Sequence, residues 1–321
     1  MMPGLMVPVS TDVLLNWDYG PGNPRIQRLR DATRHSQWNE LTEVEWNRRE
    51  PPDSGTQSAF GRAAFANSSL ARYGDSMWAR FQHEQQSWMI SQFLHGEQSA
   101  LVVSARLAEV LPDVDGKSYA AIQAAEEARH VAVFARYANE RVPSRYAVSE
   151  SFERLIEQIL RDRQWDIQAL GMHIMVESLA LAAFRLAAFT FEDPLIRKIT
   201  QLTARDEARH VSFGVLLLDD LYARMSAAEL RYREDFVLEA ADLLSRRYLL
   251  TEIWDRLEID AAEGMEFTRS NPMMVEYRST VFARVIHSLE QVSLMTERVR
   301  LGLDRLGLIA GAAKSRKIRA G

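Results

Sequence analysis

The sequence predicts an all-α protein, built as a four-helix bundle with extra flanking helices and an irregular N-terminal arm. Glycine and proline are sparse, 15 and 10 in 321 residues, and the prolines cluster near the N-terminus and at presumed helix junctions. Apolar residues recur at helical spacing through long runs, and no strand pattern of useful length appears. A short segment also repeats: Glu126-Glu127-Ala128-Arg129-His130 returns eighty residues later as Asp206-Glu207-Ala208-Arg209-His210.

Residues 1–56, rich in Pro, Gly, Trp and charge, are expected to form an arm packed on the bundle, leaving 57–321 as the helical domain. Helix is expected over 58–73 and then over 75–111, where Pro112-Asp113-Val114-Asp115-Gly116 ends it. The second bundle helix covers 117–142 and stops before Pro143. The third, 148–191, is too long to be straight, and Gly171 is its expected break point. Pro194 opens the fourth, which runs to 223. Amphipathic helices over 227–258 and 272–305 carry no Glu-x-x-His and are expected as walls of the bundle.

On a helix, Glu-x-x-His puts a carboxylate and an imidazole on one face, one turn apart. Thirty residues before each motif glutamate stands another, Glu97 before Glu127 and Glu177 before Glu207. The repeat extends to Ala124/Ala204 and Val131/Val211, and upstream to Ala100/Ala180 and Leu101/Leu181. A duplicated helix pair, each copy supplying half a site, is the simplest reading. The set Glu97, Glu127, His130, Glu177, Glu207 and His210 offers hard carboxylates with one imidazole per metal, which suits iron or manganese. Glu127 and Glu207, nearest the histidines, are expected to bridge two ions, with Glu97 and Glu177 terminal. Two irons are expected, a manganese or mixed pair being the alternative.

Ligating histidines usually donate their other ring proton to a carboxylate. Asp206 is therefore expected to orient His130 and Glu126 to orient His210, with Arg129 and Arg209 balancing charge; solvated surface charge is the plainer reading of all four. Phe93, Leu101, Phe134, Ile174, Phe184 and Phe213 fall near the ligands and suggest a pocket for a small apolar or aromatic molecule or an acyl chain, although core packing gives the same pattern. Three polar residues interrupt it as candidate catalytic groups. His173, four before Glu177, is either an extra ligand or a proton carrier; Gln123 and Thr203, each four before a motif glutamate, are candidate hydrogen bonders.

A net charge of −5 gives no electrostatic footprint for nucleic acid. No cysteine is present, so electrons for a metal centre must come from the substrate or from a separate reductase. No segment reads as roughly 20 apolar residues that would span a membrane, and the N-terminus lacks a charged leader pattern, so a cytoplasmic protein is expected. The basic tail, Lys314, Arg316, Lys317 and Arg319, is expected as a solubilising end. A homodimer through the long helices is the expected assembly.

With these residues in view, the chain resembles the ferritin-like superfamily of di-iron carboxylate proteins over 75–225. EEARH and DEARH are similar to the paired motifs of acyl-carrier-protein desaturases, and the spacing of thirty before the first motif is similar to bacterial multicomponent monooxygenases. Gln37-Trp38-Asn39-Glu40 through Val44-Glu45-Trp46 resembles the tryptophan-containing arm of ribonucleotide reductase small subunits and their ligand-binding oxidase relatives. The resemblance implies a non-haem di-iron oxygenase or oxidase that takes dioxygen as co-substrate and hydroxylates, desaturates or N-oxygenates an organic molecule. A peroxidase or iron-handling protein, or a reductase-like small subunit, is the alternative. Phe134 replaces the radical tyrosine of the reductases, and Ser99 and Met172 replace the crosslinking valine and tyrosine of the oxidases. Di-iron N-oxygenases add a histidine where this chain has Thr203, which weighs against N-oxygenation unless His173 substitutes. Ala180 and Leu181 occupy the turn where monooxygenases and desaturases place a threonine.

Overall fold

A computed structural model describes residues 5–9, 13–20, 22–47 and 59–309. Its helices are α1 (Pro24–His35), α2 (Ala59–Ala66), α3 (Gly74–Val110), α4 (Val114–Arg141), α5 (Glu150–Arg161), α6 (Trp165–Thr190), α7 (Pro194–Leu218), α8 (Ala227–Arg247), α9 (Thr251–Arg256), α10 (Ala261–Ser270), α11 (Pro272–Gln291) and α12 (Glu297–Arg305). Among the described residues there is no strand. The protein is an all-α, ferritin-like bundle with flanking helices.

Two helical hairpins form the bundle. The connection from α3 to α4 is short, so the two run antiparallel and pack along their length. Asp113 fixes the turn by accepting the Gly116 backbone N–H at 2.7 Å. The second hairpin, α6 with α7, repeats the device: Asp193 accepts from Leu195 N at 2.8 Å, and Pro194 occupies the first helical turn, where its missing N–H costs nothing. Around this bundle α11 lies on α6, α5 pairs with α8, and α1 crosses α4 and α7.

The N-terminal segment is fastened by one buried carboxylate. Asp115 accepts from Asn23 N at 3.0 Å, Gln27 Nε2 at 2.9 Å and Arg30 Nη1 at 3.0 Å. Trp38 and Trp46 are buried beyond it. The expected domain limit near residue 56 and the basic tail at 314–319 lie outside the described residues.

Four expectations on helix limits need correction. Within 58–73, whose first residue lies outside the described residues, the α-helix ends at Ala66 and a 3-10 turn, Ser69–Tyr73, follows. The stretch 148–191 breaks at Asp162-Arg163-Gln164 and not at Gly171. Gly171 instead sits in a π-helical segment, Leu170–Glu177, where an added Cβ would lie 2.5 Å from Ile159 Cγ1 and 2.9 Å from Phe236 Cζ, so glycine permits close packing of α6 on α5 and α8. Helix 227–258 divides because Leu250 adopts a left-handed conformation, φ 56°, between α8 and α9. The region 272–305 divides at Ser293, φ 59°, into α11 and α12. Among the described residues one helix, Trp165–Thr190, is long and apolar enough to cross a membrane, contrary to the reading above, but its apolar window is 94% buried inside the protein as a bundle helix.

Across the α6–α8 contact, Arg233 Nε and Nη2 each lie 3.0 Å from the Asp166 carboxylate, with both residues buried. Removing one partner strands the other charge. Arg233→Met is expected to lower unfolding free energy by about 3 kcal/mol or more in urea titration, and Asp166→Leu on top of it to recover most of that loss.

Candidate metal centre

The ligand candidates come from four helices at the middle of the bundle. α3 supplies Glu97, α4 Glu127 and His130, the π-helical part of α6 Glu177, and α7 Glu207 and His210. All six are buried. Their donor atoms fall into two groups, each within 4.8 Å: Glu97, Glu127, His130 and Glu207, and Glu127, Glu177, Glu207 and His210. Glu127 and Glu207 belong to both.

Each imidazole turns Nδ1 inward. His130 Nδ1 lies 2.9 Å from Glu97 and 3.2 Å from Glu127; His210 Nδ1 lies 2.9 Å from Glu127. The outer nitrogens meet the acids of the opposite motif, His130 Nε2 at 3.0 Å from Asp206 and His210 Nε2 at 2.8 Å from Glu126. Arg209 Nη2 donates to Glu126 at 2.9 Å and to Asp206 at 2.6 Å, and Arg129 Nη2 donates to Asp206 at 3.1 Å. All four charges are thus taken up in the site, not spread over the surface. The arm contributes two groups that no ligand motif marks: Trp38 Nε1 donates to Asp206 at 2.6 Å and Gln37 Nε2 to Glu126 at 2.6 Å. The Arg129 guanidinium lies 4.6 Å above the Trp38 ring.

Electrostatics at the centre are unbalanced. Burial, reinforced by neighbouring carboxylates, pushes Glu177 and Glu207 above the usual carboxylate range. Burial also raises Glu97. Burial opposes the charge of Glu127, but the His210 and His130 imidazoles outweigh it and hold Glu127 low. For His130 and His210 burial is likewise overcome by the surrounding carboxylates, which raise both. Glu177 Oε2 and Glu207 Oε2 are buried with no hydrogen-bond partner among the described residues, a costly state for polar atoms that a cation between them would relieve. The donor set therefore fits two hard metal ions.

His173 falls in neither group. Its Nε2 lies 3.0 Å from Gln123 Oε1, and Gln123 Nε2 donates to Glu177 at 2.9 Å. Because the Gln123 amide faces Glu177, its carbonyl faces His173, so His173 is the donor on Nε2. Burial, aided by the nearby His210, pushes His173 down to about 3, leaving it neutral. Gly214 makes room for this histidine, since a Cβ there would stand 2.2 Å from His173 Cβ. Thr203 is buried and its hydroxyl has no partner among the described residues.

Beside the carboxylates is a chamber of about 50 Å³, reached by Glu97, Glu177 and Glu207 and walled by Phe93, Ala100, Val176 and Phe184. Four expected lining residues are elsewhere. Phe134 stacks on the rear of Phe184, centroids 5.5 Å apart, and Phe213 stacks on Tyr119 at 4.2 Å. Ile174 is fully buried in the core, and Leu101 is half-buried on another face of α3. Helical spacing locates a residue along a helix but not which neighbour it meets.

The chamber's lining also includes groups that sequence spacing left unconnected to the site: Arg247, Tyr248 and Tyr277. Arg247 lies 4.1 Å over the Phe152 ring, its Nε is buried without a hydrogen-bond partner among the described residues, and burial lowers its pKa. Trp88, Met89, Tyr248 and Tyr277 separate the chamber from an outer vestibule of about 420 Å³. A dry cavity of roughly 150 Å³ holds benzene, so an aromatic ring enters the inner chamber only when these side chains move.

No curated protein sequence matches the chain significantly. A family model, described as p-aminobenzoate N-oxygenase AurF, matches residues 23–293 and so takes in α1, the whole bundle and α11. With that match over a buried carboxylate–histidine cluster, the chain belongs to the AurF family of di-iron, dioxygen-using oxygenases.

Proposed function

We propose that the chain N-oxygenates an aromatic amine carrying an anionic group, with the amine facing Glu97, Glu177 and Glu207 and the anion at Arg247. The observation that carries this reading is the chamber itself, whose lining holds both the Glu97, Glu177 and Glu207 carboxylates and the Arg247 side chain, whose Nε is buried without a hydrogen-bond partner among the described residues. The family's named substrate, p-aminobenzoate, has that polarity.

In this reading Glu97 and His130 would hold one iron and Glu177 and His210 the other, with Glu127 and Glu207, common to both donor groups, available to each. Bound there, the irons supply dioxygen reduction. Asp206 and Glu126 each hold a proton on the outer imidazole nitrogen, which keeps Nδ1 a lone-pair donor. Gln123, held by neutral His173, fixes one Glu177 oxygen while leaving the other directed into the site. Thr203 takes the position of a histidine found in N-oxygenases, and His173, bonded to Gln123, does not replace it, so the site rests on six protein ligands; this departure weighs against N-oxygenation, which the family match over residues 23–293 supports. Phe93, Phe184, Trp88 and the two tyrosines exclude water around the amine. The thiol-free chain depends on a separate electron donor in the cytoplasm.

Iron-loaded protein supplied with a reductant and isotopically labelled dioxygen is expected to place the label on the nitrogen of p-aminobenzoate. Oxygen consumption with unlabelled, unconverted amine would count against the assignment.

A further inference from the structure

The solvent face of α6 and α7 gathers cations around an exposed aromatic ring. Phe189 is 82% exposed at the junction of two clefts, of about 800 and 440 Å³. The larger is lined by eleven residues, of which Arg185, Arg197, Lys198, Arg205 and Arg209 are basic and none acidic. The smaller shares Arg185 and Phe189, adds Arg284 and His287, and again has no acid. In a chain of net charge −5 this surplus is local. Arg284 Nε is buried with no hydrogen-bond partner among the described residues, and of the five basic residues of the larger cleft Arg209 is the one paired with buried carboxylates, Glu126 and Asp206.

Arg209 links this surface to the metal centre. From the cleft it donates to Glu126 and Asp206, the carboxylates that hold His210 and His130. The vestibule is lined without any Lys or Arg and includes Glu192. An anionic protein delivering substrate would need its cations at that mouth, whereas one delivering electrons needs them beside the histidines. Like charge also disfavours pairing this face with a second copy of itself.

We propose that the Arg185–Phe189–Arg205 face docks a small acidic electron-carrier protein of the ferredoxin type, which passes electrons inward at the Arg209, Asp206 and His130 edge. The proposal rests on the oxygenase reading of the site. Oxygenation by one dioxygen takes two electrons and two protons, leaving one oxygen atom in the product and one in water. Two reduced carriers are therefore each oxidised by one electron per oxygen atom transferred.

The test uses a plant-type [2Fe–2S] ferredoxin as probe and the full chain, with and without iron. Wild type is expected to bind it at low salt and to lose binding as salt rises. Arg185→Glu/Lys198→Glu/Arg205→Glu is expected to weaken binding roughly tenfold or more. Reversal of Arg154, Arg161 and Arg300, exposed on α5 and α12, should leave it unchanged. In the iron-loaded protein, anaerobic reduction by ferredoxin should fall in parallel while reduction by dithionite does not. Equal binding to wild type and the patch variant, no binding at low salt, or capture of a DNA oligonucleotide in place of ferredoxin would overturn the proposal. Failure of the oxygenase reading is distinct: the chain would take up no iron yet still bind ferredoxin through the patch.

Discussion

Glu127→Ala and Glu207→Ala are each expected to abolish binding of both metal ions, whereas Glu97→Ala and Glu177→Ala should each weaken chiefly one. The difference follows from the two donor groups, which share Glu127 and Glu207 and divide the rest. Metal analysis of purified variants reads it directly, with bound iron falling from two per chain towards none. Stability should move the opposite way from an ordinary core truncation. Glu207 is a buried carboxylate raised by burial and by Glu127, so deleting it relieves repulsion in the metal-free protein. Metal-free Glu207→Ala should melt no lower than metal-free wild type. Iron at a hundredfold over its dissociation constant should stabilise wild type by about 2.7 kcal/mol and leave the variant unmoved.

Arg247→Leu is expected to lower kcat/KM for p-aminobenzoate roughly a hundredfold, equivalent to about 3 kcal/mol for a lost charge-assisted contact, mostly through KM. Turnover of unsubstituted aniline should be unchanged or improved, because the guanidinium has nothing to pair with in that case. The fold should suffer little, since the Nε removed is buried without a hydrogen-bond partner among the described residues and leucine keeps an apolar contact with Phe152. Steady-state kinetics on the two substrates separate the possibilities: equal loss on both would make Arg247 a structural residue.

The bundle was legible because its rules are local. Pro194 with Asp193, and Asp113 after Pro112, mark helix starts by the hydrogen bonds they supply or forgo. The repeated motif was legible because residues one turn apart on a helix share a face, and duplication fixed the partner of each half. What escaped depends on approach between distant segments. The π-helical turn at Leu170–Glu177 has no compositional sign, and Gly171 reads as a break until Ile159 and Phe236 are seen packed against it. Arg247 stands on α8, 40 residues past Glu207, and nothing in its own neighbourhood connects it to a carboxylate site. Phe134 and Phe213 were correctly placed on their helices, yet one backs Phe184 and the other covers Tyr119. Trp38 and Gln37 reach Asp206 and Glu126 from the arm, a contact that follows only once Asp115 has fastened α1 across the bundle.

The central claim is a pair of metal ions bridged by Glu127 and Glu207. Anomalous diffraction at the iron edge, from crystals of iron-loaded protein, tests it most directly. The account predicts two peaks about 3.5–4 Å apart, both in reach of Glu127 and Glu207, one beside His130 and the other beside His210. A single peak, or iron bound away from these six residues, would contradict it.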